Sequence, residues 1–342
     1  MYQTSVLLLC FGLFCCKQTE TVAPVLNSVQ TDTFFVKGAD VSWLTEMEAN
    51  GIVFYNKLGK QTDCFQILSS LGVNTIRLRV WVNPKFGWNN IDDVVKKAIR
   101  AKNAGMRLLI NFHYSDSWAD PGQQTKPIQW DSLSFLNLTK AVYEHTYSVL
   151  HTLHQNNIFP HWVQIGNETN NGMLWPQGKA SENMSNFAQL INAGYEATKK
   201  VFPSCKVLVH LSNGYDQQLY KWMLSGLKTH QAKFDVVGMS LYPSATDWQQ
   251  KNADCLANMQ YVINEFDKPI MIVEVGMSWD EANACKLFMK DIIQKLKTLQ
   301  HHNGLGVLYW EPQAYKQWKQ YTLGAFDNSG KPTVALDAFL EK

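Results

Sequence analysis

Residues 269–275 read PIMIVEV, an apolar run interrupted by a single carboxylate at Glu274. A run this short, without polar alternation, reads as a strand buried on both faces. A charge inside such a strand is costly unless a partner meets it, so Glu274 stands out as a candidate for chemistry. Seven further runs of the same kind lie along the chain. They are FFVKGAD (34–40), GVNTIRLRV (72–80), GMRLLINFH (105–113), WVQIGN (162–167), KVLVHL (206–211), FDVVGMSL (234–241) and GLGVLYW (304–310). Between them lie longer stretches with helical periodicity, among them Ile91–Asn103, Leu133–Gln155, Ser185–Val201 and Ala282–Leu299. Several end on a basic residue and a Gly or Asn stop, as in Lys102-Asn103-Ala104-Gly105.

Eight alternating strand–helix units predict an α/β fold, a closed parallel (β/α)8 TIM barrel. A doubly wound open sheet is the competing architecture, but no Gly-rich phosphate loop follows the first strand. No period of repeat-protein length recurs. The chain has 342 residues, 46% of them hydrophobic and 18% charged, enough for a large single core. A formal charge of +2, with the basic residues dispersed, gives no basis for binding nucleic acid or an acidic membrane surface. Twelve tryptophans in a 12% aromatic chain will mostly be core, with a minority free on loops to stack on sugar faces.

The amino terminus differs in character. VLLLCFGLFCC (6–16) is too short to span a bilayer and fits the apolar region of an export signal, although residues 1–5 carry no Lys or Arg. Its end, Leu13-Phe14-Cys15-Cys16, is similar to a bacterial lipoprotein signal with Cys16 as the lipidated residue and Cys15 as the alternative. An ordinary cleaved signal is the competing reading. The expected organisation is a signal segment at 1–16, a flexible tether at 17–33 and a single catalytic domain at 34–342. The expected location is the bacterial outer membrane or cell surface by a lipid anchor, or else the periplasm or medium. Cys64, Cys205, Cys255 and Cys285 form no CxxC pair, which argues against a zinc site. Disulfides and buried thiols both remain open for them.

In barrels, strand C-termini face the active site. Asp40, Arg79, His113, Asn167, Glu168, Tyr242, Glu274 and Trp310 all follow or end an apolar run. One such residue means little; eight on one rim are hard to explain as packing. Glu168 and Glu274 end the fourth and seventh runs. Retaining glycosidases need two carboxyls about 5–5.5 Å apart, one protonated and one ionised. Either glutamate alone reads as a solvated or salt-bridged carboxylate; the pair points to glycoside hydrolysis. Arg79 and Tyr242 are the expected hydrogen-bonding neighbours of Glu274.

The motifs GADVSW (38–43), TIRLRVWVNP (75–84), HYSDSWADPGQQ (113–124), GNETNNGMLWP (166–176), VGMSLYP (237–243), VEVG (273–276) and GVLYWEP (306–312) together resemble glycoside hydrolase family 53, the arabinogalactan endo-β-1,4-galactanases. The resemblance implies Glu168 as acid/base and Glu274 as nucleophile. It implies Asn167 on the sugar 2-hydroxyl, Arg79 and Tyr242 holding the nucleophile, and Trp310 as the floor under the reacting sugar. His113, Asp116, Trp118 and Asp120 would line sugar subsites, with a turn carboxylate as the other reading of Asp120. Asp40 is expected as a substrate ligand in preference to a buried structural carboxylate. Trp43 and Trp175 are candidate stacking platforms, with core packing the rival reading of Trp43. Some bacterial members carry a calcium-binding acidic insertion after the seventh strand; here VGMSWDEANAC (275–285) runs straight into helix, so no calcium, other metal or cofactor is expected. The expected partner is β-1,4-galactan, met by a monomer. Another β-1,4-glycan (mannan, xylan or glucan) and a non-catalytic glycan-binding lipoprotein are the competing readings.

Overall fold

Eight parallel strands pair in chain order and close on themselves in the computed structural model. The structure describes residues 1–2 and 34–341, so the expected signal's apolar run and the tether, residues 3–33, lie outside the described residues. The strands are β1 (Val36–Asp40), β2 (Thr75–Val80), β3 (Arg107–Phe112), β4 (Trp162–Ile165), β5 (Lys206–Leu211), β6 (Val236–Leu241), β7 (Ile270–Val275) and β8 (Gly304–Trp310). Each falls within one of the apolar runs. The helices between them are α1 (Leu44–Ala49), α2 (Cys64–Ser70), α3 (Ile91–Asn103), α4 (Phe135–Gln155), α5 (Ala180–Val201), α6 (Gln217–Thr229), α7 (Trp248–Phe266) and α8 (Ala282–Lys297). The expected (β/α)8 barrel is the observed fold.

Local chemistry sets the ends. The Asn90 side chain accepts from the Asp93 amide and starts α3, and Ser134 accepts from Asn137, so α4 begins at Phe135. Helix α5 starts five residues earlier than its periodicity suggested, across a break at Asn183 (φ −153°). Strand β4 stops at Ile165 because Gly166 (φ 78°) and Glu168 (φ 44°) turn the chain out of the sheet. Gly306 sits where β8 pairs with Val36 of β1; a Cβ there would lie 2.2 Å from the Val36 carbonyl oxygen.

Alternation along the strands sorts their side chains. Ile76, Leu78, Ile110, Val163, Val209, Val237, Ile272 and Val307 join the large core shared with the helices. Inside the barrel, Val36, Leu109, Trp162, Leu208, Val236, Met271 and Leu308 plug the floor. Moving up the same inward faces the residues become polar: Asp40, Arg77 and Arg79, Asn111, Gln164, His210 and Ser240, all buried. An apolar plug beneath a polar rim confines water and chemistry to the C-terminal mouth. Among the described residues, no helix is long and apolar enough to cross a membrane.

Candidate active site

A cleft of about 470 Å³ opens at that mouth. Of the ten site residues expected from sequence, seven line it: Glu168, Glu274, His113, Trp118, Asn167, Tyr242 and Trp310. Trp43, Ala119, Asp120, Gln123, Lys319, Gln320 and Tyr321 complete its lining.

Glu274 reaches the cleft through an irregularity in β7. Ile272 pairs with Met239, but the next residue of β6, Ser240, pairs with Glu274, so Val273 is the extra residue of a bulge. Met271 and Val273 both face the barrel plug, and Glu274 is turned inward after them. Re-aiming a side chain is what a bulge next to an active site does. Once inward, Glu274 receives the Tyr242 hydroxyl at Oε2 (2.9 Å) and the Arg77 guanidinium at Oε1 (2.8 Å). Burial raises its pKa, Asp40 adds to the rise, and Arg77 and Tyr242 oppose it.

The expected neighbour Tyr242 is thus in place, but Arg79 is not. Arg77 and Arg79 both point inward from β2, two residues apart. Arg77 reaches across the barrel to Glu274, Asp40 and Gln164. Arg79, one layer higher, meets Glu311 at 3.5 Å and lies over the rings of Trp118 and Trp81, 4.2 and 4.8 Å from their centroids.

Glu168 occupies a different setting. It is partly buried and takes one hydrogen bond, from Ser240 Oγ to Oε1 at 2.7 Å. Burial pushes its pKa up to about 8, and the Glu274 charge pushes the same way, while Ser240 and Arg77 oppose them. Its backbone is left-handed (φ 44°), an uncommon conformation for a non-glycine residue. Asn167, immediately before it, accepts at Oδ1 from Arg77 and Asn111 and donates to the Ala119 carbonyl. The Asn167 carbonyl accepts from Gln124, which tethers the third loop to the fourth. His113 accepts the Ala119 amide at Nδ1, and burial lowers its pKa well below the usual range; the neutral ring therefore carries its hydrogen on Nε2.

Two further expectations need correction. Asp40 is fully buried and bonded to Ser42 and Arg77, so it is a structural carboxylate beneath the cleft and not a substrate ligand. Asp116 is spent on backbone: it accepts from the Asn83 and Ile128 amides and lies outside the cleft lining. Asp120 closes the turn to Gly122 and Gln123 and also faces the cleft. Trp43 is largely buried and edge-on to Trp310, Trp118 and Tyr321, so it braces the aromatic wall while still lining the cleft. Trp175 bonds the Asn171 carbonyl away from the cleft.

Sequence reading missed Arg77, His210, Ser240 and Glu311. The first three are polar residues at inward positions inside apolar runs, the same signal that singled out Glu274. Glu311 is buried and accepts from the Trp43 amide and from Gln313. The four cysteines are buried free thiols, with Cys205, Cys255 and Cys285 pushed up to about 12 by burial. Among the described residues, no group of three His, Cys, Asp or Glu is placed to hold a metal ion.

The barrel and its cleft have known counterparts. The chain is 34% identical to an arabinogalactan endo-β-1,4-galactanase A of Aspergillus niger, over 84% of this chain and 87% of that one. It is 32% identical to an arabinogalactan endo-β-1,4-galactanase of Cellvibrio japonicus, over 93% of each. A solved fungal β-1,4-galactanase superimposes with a TM-score of 0.83 at 30% identity, covering 90% of this chain and 99% of that one. The model of glycosyl hydrolase family 53 matches residues 36–339, and with relatives of this identity and coverage the chain belongs to that family.

Proposed function

We propose that the chain is an endo-acting, retaining β-1,4-galactanase in which Glu168 is the acid/base and Glu274 the nucleophile. The observation that carries this reading is a pair of carboxyls in one cleft with different bonding partners. Burial raises both pKa values, but at Glu274 a cation and a phenol bond the carboxylate and oppose the rise; at Glu168 the bonded partner among the described residues is the Ser240 hydroxyl, and the pKa is pushed up to about 8. A buried carboxylate bonded by a cation and a phenol is suited to attack, and one bonded only by a hydroxyl is suited to carry the proton. In the first step Glu168 protonates the departing sugar oxygen while Glu274 attacks the anomeric carbon. The resulting ester removes the Glu274 charge, the Glu168 pKa falls, and Glu168 then takes a proton from the water that releases the sugar. Asn167 would hold the 2-hydroxyl, a contact that strengthens in the transition state. Trp310 and Trp118 would carry the apolar faces of successive sugars, and His113 would offer its Nε2–H to a hydroxyl.

Galactan as the substrate rests on the names of the relatives and on the third-loop motif, since sugar choice lies in loop contacts and not in the fold. The test is reducing-end release from β-1,4-galactan beside mannan, xylan and cellulose; release chiefly from galactan is expected, and preference for another polymer would overturn it. Glu274→Gln should abolish turnover and labelling by a fluorinated galactosyl substrate, and label on another carboxylate would overturn the nucleophile. For location, the run ending in Cys15-Cys16 supports export and lipid anchoring at the bacterial outer membrane or cell surface. The assembly proposed is a monomer.

A further inference from the structure

We propose that His210 and Ser240 are positioning residues that decide which oxygen of Glu168 carries the catalytic proton. The proposal rests on Glu168 being the acid/base. Ser240 Oγ lies 2.7 Å from Glu168 Oε1 and 2.8 Å from His210 Nε2. A hydroxyl has one hydrogen, so the direction of this chain follows from the histidine tautomer. The Glu168 backbone N–H points at His210 Nδ1, 3.2 Å away, and a backbone N–H can only donate. Gln164 Nε2 stands 3.0 Å from the same nitrogen. Asn167 Oδ1 is also 3.2 Å from it but already accepts from Arg77, Asn111 and Gln164. Nδ1 is therefore the lone-pair nitrogen. Burial, helped by Arg77, keeps the imidazole neutral, so its single N–H is on Nε2.

The rest follows in order. His210 Nε2–H donates to a lone pair of Ser240 Oγ, so the Ser240 hydrogen is not used on His210 and donates to Glu168 Oε1, 2.7 Å away. Two hydrogens do not fit between oxygens 2.7 Å apart. The proton of the acid form must sit on Oε2, the oxygen Ser240 does not engage. In the first half-reaction that proton passes from Oε2 to the glycosidic oxygen as the sugar–sugar bond breaks. In the second, Oε2 takes a proton from water as the water oxygen bonds the anomeric carbon and the ester breaks. One oxygen delivers and recovers the proton, and Oε1 stays bonded to Ser240 throughout. His210 also stabilises the left-handed backbone of Glu168 through Nδ1, so a single ring orients both the main chain and the carboxyl of this residue.

The other groups around Glu168 are Glu274 on β7, Arg77 on β2, Asp120 in the loop after β3, Tyr242 after β6 and Tyr220 on α6. Substitution of Ser240 leaves all of them in place. In the full chain, Ser240→Ala should lower kcat on galactan by about tenfold to a hundredfold, part of the about 10²–10⁴ that general acid catalysis supplies, with KM little changed. Its alkaline pH limb should move to higher pH, because the lost O–H favoured the ionised carboxyl. Formation of the intermediate from an activated aryl galactoside should be spared, and Ser240→Thr should restore both the rate and the limb. Nitrogen-15 NMR of labelled histidine should show His210 protonated at Nε2 and not at Nδ1. Equal loss on both substrates with an unmoved limb would overturn the proposal, as would an Nδ1–H tautomer. Glu168→Ala run alongside separates the two levels: azide rescue there with wild-type behaviour of Ser240→Ala sinks the relay alone, and no rescue sinks the acid/base reading beneath it.

Discussion

Arg77 Nη1 lies 2.8 Å from Glu274 Oε1 and 2.8 Å from Asp40 Oδ2, with no part of the guanidinium exposed. One buried cation therefore serves two carboxylates, one of them the proposed nucleophile. Removing it strands both. Arg77→Met should cost about 3–5 kcal/mol, the usual penalty for an uncompensated buried charge. It should also move the acid limb of activity to higher pH, because the cation that lowers the Glu274 pKa is gone. Arg79→Met, which breaks a longer contact to Glu311 and the stacking on Trp118, should destabilise the fold without moving that limb. Thermal unfolding and pH–rate profiles of the two variants check this; identical limbs would return the role to Arg79 or to neither.

The Glu168 pKa of about 8 makes a prediction in two directions. As the proposed acid/base, Glu168 must be protonated for the first step, so galactan hydrolysis should fall as pH rises through about 8. Stability has the same sign: the folded-state pKa is raised above the ordinary 4.5, so the contribution is full below 4.5 and is lost as pH rises to about 8. Glu168→Gln should therefore gain stability relative to the wild type between those limits, while losing activity. Unfolding temperatures measured from pH 4 to 9 test it; a difference that stays flat with pH would mean that Glu168 titrates normally.

Glu168→Ala should damage reactions according to their leaving group. Galactan, whose sugar alkoxide needs a proton, should lose about 10²–10⁴ in kcat. An activated aryl galactoside should form the intermediate and stall, and azide should release it as a β-galactosyl azide. Product stereochemistry by proton NMR decides the matter: an α-configured azide would rule out double displacement.

The thiols of Cys64, Cys205, Cys255 and Cys285 are all buried, and burial raises the pKa of each. A thiolate-directed alkylating agent should therefore leave all four unmodified in the folded protein and modify all four after denaturation without reductant. Peptide mapping reads the result; protection that survives denaturation would mean a disulfide.

Cys16→Ser should shift the protein from membranes to a soluble fraction if Cys16 is the lipidated residue. Fractionation with mass analysis of the mature amino terminus checks it; continued membrane association, or a terminus downstream of residue 16, would exclude the anchor.

What the sequence by itself determined is the barrel and its rim. A strand covered on both faces must be apolar along its length, so KVLVHL and GLGVLYW are legible with their observed bounds, Lys206–Leu211 and Gly304–Trp310. Residues that break such runs near their ends, Glu274 and Trp310 among them, are legible as site candidates because a buried polar group needs a reason. The tertiary structure alone decided which way these residues face and whom they meet. By simple alternation Glu274 would share the outer face of Ile270 and Ile272, and the bulge at Val273 turns it inward. Arg77 and Arg79 are equivalent in TIRLRV, and only the distance across the barrel makes the lower one reach Glu274. Asp40 and Asp116 look like ligands in one dimension, yet their oxygens are used by Ser42 and Arg77 and by the Asn83 and Ile128 amides. Partners come from strands far apart in the chain, and periodicity within one segment carries no information about them.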